Sequence, residues 1–235
     1  MPLRLDVRLQ TVADLVLPGL PAADIGTDHA YLPAYLIQSG RCPRVIATDV
    51  VAGPYEKARR LVASLALTAQ IDVRLGDGLL PLRPGEAASV CLCGMGGRLI
   101  MDILAAAPAV AGQTQRLLLQ PQKNVDQLRL WLAQHHWRIV AERIARDRDF
   151  FYPVLAAEHG EMQLSADEAA YGPCLLATRD PMLAEYLINR LQTLRALEEG
   201  LHVYRNSSKA EQRLADLQRE TARIKEVLQY LRNDE

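Results

Sequence analysis

The period of the apolar positions changes repeatedly along this chain, and each change marks an element. At positions 5, 9, 12, 15 and 16 the spacing is helical over residues 3–16, and Pro18-Gly19 ends the stripe. Short apolar runs at 22–26, 44–48, 70–75, 89–93 and 116–119 read as buried strands. Helical patterns at 32–38, 53–66, 97–106 and 125–136 separate most of them. Two more strands are expected near 138–144 and 151–156, joined only by the short polar stretch 145–149. Strands alternating with helices predict a parallel sheet of βαβ units, and the short last connection predicts an antiparallel pair at one edge. That is the Rossmann-like α/β shape expected of a class I methyltransferase. Beyond Gly160 the pattern becomes two long helices, 182–201 and 210–231, around Asn206-Ser207-Ser208. Leu183, Leu187, Leu191, Leu194 and Leu201 form one seam; Ala210, Leu214, Leu217, Thr221, Ile224, Leu228 and Leu231 form a heptad seam on the other. A C-terminal α-helical coiled-coil hairpin is expected, which divides the chain into residues 1–160 and 161–235.

The first strand ends in Ala23-Asp24-Ile25-Gly26-Thr27-Asp28-His29-Ala30-Tyr31-Leu32-Pro33. A turn built for pyrophosphate offers several glycines and bare N–H groups to an anion. Here Gly26 stands alone, and carboxylates take the places where phosphates would lie. Such a turn suits an amine or a sulfonium, which points to S-adenosyl-L-methionine. The missing G-x-G-x-x-G disfavours a nicotinamide cofactor. Asp49 and Asp77 repeat the acidic ending after the second and third strands. Each βα turn of such a sheet faces the same crevice, so three acids in register weigh more than one loop Asp, which is ordinarily a turn or cap residue.

Composition narrows the class further. The 235 residues suffice for one large core and a small appendage. A formal net charge of −1 means that any nucleic-acid site must be a local patch, and residues 161–235 carry 10 Lys/Arg against 13 Asp/Glu. Apolar content of 49% with 5% aromatic suits an aliphatic α/β core. No run approaches the ~20 apolar residues of a membrane span, and no secretory signal pattern opens the chain. Cys42, Cys91, Cys93 and Cys174 lack metal-site or staple spacing, so reduced thiols, no metal and a cytoplasmic location are expected.

Five ordered blocks resemble the bacterial TrmK family: residues 25–33, Asp49 with Gly53-Pro54, Arg74-Leu75-Gly76-Asp77-Gly78-Leu79, Gly94-Met95-Gly96-Gly97, and Leu119-Gln120-Pro121. The resemblance spans about the first 160 residues, and the helical hairpin agrees with that family's C-terminal domain. It implies methyl transfer from S-adenosyl-L-methionine to N1 of adenine 22 of tRNA, with the hairpin as a candidate tRNA-contacting domain and the oligomeric state open. The rival readings are a methyltransferase for another RNA position or a small molecule, and a non-catalytic cofactor-binding interaction protein.

On this reading Asp24, Gly26 and Asp28 border the methionine end of the cofactor, Asp49 the ribose, and Gly76, Asp77 and Gly78 the adenine, with Val50 a further cofactor-binding candidate. Cys93, Gly94 and Met95 face the sulfonium and the incoming base. Asp28, His29 and Met95 are the catalytic candidates; Tyr31, Gly96, Gly97, Gln120 and Pro121 are the substrate-binding ones. His29 equally suits a capping or core-anchoring role, and Cys93 a buried small hydrophobe. Candidate phosphate contacts are Arg4, Arg8, Arg98, Lys123, Arg129, Arg143, Arg146 and Arg148, with Arg205, Lys209 and Arg213 near the hairpin tip. Arg4 and Arg8, one turn apart, are expected to share a helical face.

Overall fold

The computed structural model describes residues 3–201 and 208–232. Its strands are β1 (Ala22–Ile25), β2 (Val45–Asp49), β3 (Ile71–Leu75), β4 (Ser89–Met95), β5 (Arg116–Pro121), β6 (Trp137–Asp147) and β7 (Phe150–His159). They form one sheet in the order β3-β2-β1-β4-β5-β7-β6. β1 to β5 run parallel, and β7 lies antiparallel between β5 and β6. The chain reverses its direction of travel across the sheet between β1 and β4, and the crevice beyond the carboxyl ends of those strands is where such sheets take ligands.

Strand side chains alternate between two apolar layers, as the pleat requires. Ala23, Ile25, Val90, Leu92, Leu117 and Leu119 pack against α4 (Gly97–Ala106) and α6 (Val125–Gln134) through Ile100, Leu104, Leu128 and Leu132. Ala22, Val45, Cys91, Leu118, Val154 and Ala156 pack against α1 (Val7–Leu15) and α2 (Tyr31–Gln38) through Val12, Leu32 and Leu36. A smaller cluster of Ala47, Ala58, Val62 and Ile71 seats α3 (Ala52–Ser64) beside β2 and β3.

Several boundaries differ from the pattern reading. The first helix starts at Val7, because Asp6 caps it by accepting from the Leu9 N–H at 2.7 Å. Arg4 therefore precedes the helix and shares no helical face with Arg8. β4 runs on to Met95, and the antiparallel strands β6 and β7 are longer than their apolar cores. Three short helices, α5 (Pro108–Ala111), α7 (Ala166–Tyr171) and α8 (Pro173–Ala177), lay below the reach of helical periodicity.

Two compact units divide between Cys174 and Leu175, not at residue 160. The reason is a buried tie. Arg129 Nε donates to Glu142 Oε1 at 2.8 Å, and Arg129 Nη1 donates to the carbonyls of Ala169 and Ala170 at 3.0 Å each, at the end of α7. Arg129 is 2% exposed, which removes it from the candidate phosphate contacts. The second unit pairs α9 (Pro181–Leu201) with α10 (Ser208–Arg232); Leu183, Leu187 and Leu194 are buried on the first and Leu217, Ile224, Val227 and Leu228 on the second. Arg190 Nε donates to Glu220 Oε1 at 2.8 Å across the pair. Asn206, Ser207 and Arg205 lie outside the described residues, as do the side chains of Lys209 and Ala210. No helix among the described residues is long and apolar enough to cross a membrane.

Candidate active site

The turn after β1 is held by one acceptor: the carbonyl of Thr48 takes the N–H groups of both Gly26 and Thr27 at 2.9 Å. Gly26 sits at φ +70°, where a side chain is strained, and a Cβ there would lie 2.5 Å from Met95 Cε. Met95 thus fills the space that the glycine leaves and joins the turns after β1 and β4. Asp28 (φ 51°) and Ala30 (φ 56°) are left-handed without being glycine, two strained positions within three residues. Strain of that kind persists where surrounding contacts enforce it, and here the Asp28 N–H donates to Asp49 Oδ2 at 3.1 Å.

Asp24 is buried under this turn. Its Oδ2 accepts from the Thr27 hydroxyl at 2.7 Å. Burial pushes its carboxyl up to about 7, opposed by the Thr27 hydrogen bond and the Arg8 guanidinium and assisted by the Asp49 carboxylate. Asp49, also buried, accepts from the Val51 N–H at 2.9 Å through Oδ1 and from Asp28 through Oδ2. Two of about four lone-pair positions on that carboxylate are thereby used. Val50 and Leu75, at the ends of the adjacent strands β2 and β3, are 60% and 52% exposed. Asp77 is exposed between Gly76 and Gly78, in a loop fixed from behind. Arg74 reaches Glu86 at 2.7 Å, Asp72 at 2.7 Å and the Pro81 carbonyl at 2.8 Å, and the Arg74 hydrogen bond holds the Glu86 carboxyl down at about 2.

At the ends of β4 and β5, Gly94 is a bulge: Cys93 faces Gln120, Met95 faces Pro121, and Gly94 (φ 73°) is the extra residue. Gln120 is fully buried, and its Oε1 accepts from the Gly94 N–H at 3.0 Å and from Arg8 Nη1 at 3.1 Å. Gln120 therefore shapes the bulge and does not present itself to a substrate. Pro121 is buried as well. Gly97 is no contact surface either, since a Cβ there would meet the Asn124 carbonyl at 2.6 Å; it lets α4 start against the chain leaving β5. These three substrate candidates become supports. Gly96 and Tyr31 stay accessible. His29 stacks on Tyr31 with centroids 5.3 Å apart, and its Nε2 lies 3.6 Å from Asp28 Oδ2. Cys93 is half-buried, and desolvation pushes its thiol well up, away from nucleophilic use.

The rim thus holds Asp24 through Thr27, Gly26 through the Thr48 carbonyl and Asp28 through Asp49, sets Met95 against Gly26 with Gly94 beside it, and places Val50, Gly76, Asp77 and Gly78 on the neighbouring strand ends. Two side chains take part that the sequence did not assign to this site, Thr27 and Arg8, the latter expected only as a phosphate contact. Thr27, inside the acidic turn, had a local signal in its hydroxyl beside Asp24. Arg8 had none, since α1 reaches Gln120 across 112 residues of sequence. Of the basic candidates, Arg98, Lys123, Arg143, Arg146, Arg148 and Arg213 are exposed. No group of three or more His, Cys, Asp or Glu placed to hold a metal ion occurs among the described residues.

The chain matches the family model of TrmK, described as tRNA (adenine(22)-N(1))-methyltransferase, over residues 22–226. The tRNA (adenine(22)-N(1))-methyltransferase of Bacillus subtilis is 32% identical over 234 residues, which covers 97% of this chain and 98% of that relative. The crystal structure of the B. subtilis M1A22 tRNA methyltransferase TrmK superposes with a TM-score of 0.84 at 33% identity, over 96% of this chain and 99% of the other. A Streptococcus pneumoniae protein, Sp1610, in complex with S-adenosyl-L-methionine gives 0.86 at 34% identity, over 96% and 100%. On the family match and on relatives similar from end to end, this chain belongs to the TrmK family of tRNA (adenine(22)-N(1))-methyltransferases.

Proposed function

We propose that this protein transfers the methyl group of S-adenosyl-L-methionine to N1 of adenine 22 in tRNA. Family membership supports the reaction, and one observation carries its assignment to this rim. Asp24 is a buried carboxyl with no cation within ion-pairing distance among the described residues, at the crevice where the sheet takes ligands. A group in that state is matched by an incoming ammonium or sulfonium and mismatched by a phosphate.

The residues present fit the cofactor. Asp24, held by Thr27, takes the ammonium end; Asp49 offers its two remaining lone-pair positions to the ribose hydroxyls; Asp77 and the flanking glycines meet the adenine, with Val50 and Leu75 as apolar flanks. When bound, the cofactor supplies an electrophilic methyl group on a sulfonium. Adenine N1 already has a free lone pair, so no residue need remove a proton before attack. The protein's contributions are positioning and a field that accepts positive charge developing on the base. Asp28 is exposed at the lip and bears the carboxylate closest to that task, with His29 and Tyr31 stacked beside it. Met95 fixes the floor between the first and fourth turns. The helical pair α9–α10 is read as a tRNA contact. A tRNA substrate and four free thiols suit the cytoplasm.

The test is to incubate purified protein with methyl-labelled cofactor and unmodified bulk tRNA, digest, and map the product by mass spectrometry. One label per acceptor tRNA, as 1-methyladenosine at position 22, is the expected result. Label at another position, or transfer only to small molecules, overturns the assignment.

A further inference from the structure

We propose that the tip of the β6–β7 hairpin is an RNA-contacting finger, in which Phe150 stacks on an unpaired tRNA base near the target adenine and Arg148 contacts the phosphate backbone. The proposal rests on the tRNA reading above and names the residues that would touch the RNA.

Leu119 pairs with Leu155, and β5 ends at Pro121, whereas β7 begins five residues before Leu155 at Phe150. At about 3.4 Å per residue the tip overshoots the carboxyl end of β5 by roughly 10 Å. It projects past the same rim that carries Asp24, Asp49 and Met95. The two strands stay paired up to Asp147 and Phe150, leaving only Arg148 and Asp149 as the loop, so the finger is stiff.

The chain has two phenylalanines, and both lie here, followed by Tyr152. Phe150 is 66% exposed, with its ring 6.5 Å from that of Tyr152. Arg146 lies over the Phe151 ring at 5.4 Å, and its Nε donates to the Arg148 carbonyl at 3.0 Å. Interleaved aromatic faces and guanidinium groups are the makeup of single-strand nucleic-acid platforms, where any base stacks and phosphates are paired.

A bland account explains only part of this. Edge strands carry charges to discourage pairing with another sheet, and Arg138 and Arg143 on β6 do that. An exposed phenylalanine at the tip works against such protection. Arg148 also breaks a local rule: it sits at φ 55°, in a two-residue loop where Gly or Asn is favoured. Backbone strain of that kind is enriched at functional positions.

The experiment measures tRNA affinity by filter binding across a salt series, cofactor affinity by calorimetry, and oligomeric state by light scattering. Phe150→Ala is expected to weaken tRNA binding about tenfold, Phe150→Trp to keep it, and both to leave cofactor affinity unchanged. Arg148→Gly relieves the backbone, so its melting temperature should hold or rise while its tRNA affinity falls and the salt slope drops by about one. A purely structural Arg148 would show the reverse. Wild-type affinity in Phe150→Ala removes the finger and leaves the tRNA reading standing. No tRNA binding by the wild type at any salt ends both. A change of oligomeric state in Phe150→Ala, with tRNA affinity unaltered, assigns Phe150 to a contact between copies and overturns the proposal.

Discussion

The backbone N–H of Asp28 donates to the Asp49 carboxylate at 3.1 Å, so the carboxylate proposed to hold the ribose also holds the turn that faces the methionine end. Asp49→Ala should therefore damage two subsites together. A charge-assisted hydrogen bond contributes about 1.5–3 kcal/mol, which predicts a roughly 10- to 100-fold loss of cofactor affinity by calorimetry. Asp49→Asn keeps one acceptor oxygen and should fall between the two. An unchanged heat of binding in the alanine variant would take Asp49 out of the cofactor site.

Asp28→Asn separates the two functions of the turn. The tie to Asp49 uses the backbone of Asp28, and asparagine tolerates its φ of 51°. Cofactor affinity is expected to stay near wild type while turnover on tRNA falls about tenfold or more, because only the side-chain charge at the lip has gone. Unaltered turnover would show that the carboxylate has no part in the reaction.

Much of this arrangement was legible in the chain. Doubly buried parallel strands read as unbroken apolar runs, as residues 45–47 and 117–119 do, and Asp24, Asp49 and Asp77, at the ends of the first three strands, had to land on one rim because βα turns share an edge. What stayed hidden depended on long-range packing or on a broken period. Gln120 looked like a substrate contact because nothing local reveals that Arg8 and Gly94 take its oxygen. Glu142 should face away from Ile139 in a regular strand, but the register shifts between Ile139 and Ala141, turning both inward. That shift creates the buried partner that draws Arg129 off the surface.

Gly26 and Gly97 are both crowded, but by neighbours of different stiffness. A Cβ at Gly26 meets the end of the flexible Met95 side chain, whereas at Gly97 it meets the Asn124 and Lys123 carbonyls at 2.6 and 2.9 Å. Gly26→Ala is expected to cost about 1–2 kcal/mol, mainly from its positive φ, and to lower cofactor affinity by displacing Met95. Gly97→Ala has no flexible neighbour to yield, so the start of α4 must shift, and a larger fall in melting temperature is expected. Equal melting temperatures would show that the chain after β5 moves as readily as a methionine.

Asp24 ties stability and binding to pH in opposite senses. Its folded value of about 7 lies above the ordinary 3.8, so the folded protein holds this proton more tightly than the unfolded chain does. Stability from this group is complete below about 4 and is lost as pH rises through 7. Asp24→Asn, which can still accept from Thr27, should raise stability at pH 8 by an amount on the order of 3 kcal/mol, with a much smaller gain at pH 5. Cofactor binding runs the other way. An ammonium needs the ionised carboxylate, so affinity in the wild type should weaken as pH falls below 7, and Asp24→Asn should bind poorly at every pH. A stabilised variant that binds the cofactor normally would dissociate the buried charge from ligand recognition.

Arg129 and Glu142 form a buried ion pair, with consequences for stability alone. Their side chains are 3% and 1% exposed, and Glu142 Oε2 also accepts from the Cys174 N–H at 3.0 Å, so the pair fastens both α7 and the chain after it. Gly172 makes room, since a Cβ there would lie 2.6 Å from the same oxygen. Arg129→Met strands a buried carboxylate and should cost about 3–5 kcal/mol in denaturant unfolding. Adding Glu142→Gln removes the stranded charge while keeping an acceptor for Cys174, so the double variant should recover part of the loss. If the double variant is less stable than Arg129→Met, the cost lies in lost packing and lost α7 contacts, not in the uncompensated charge.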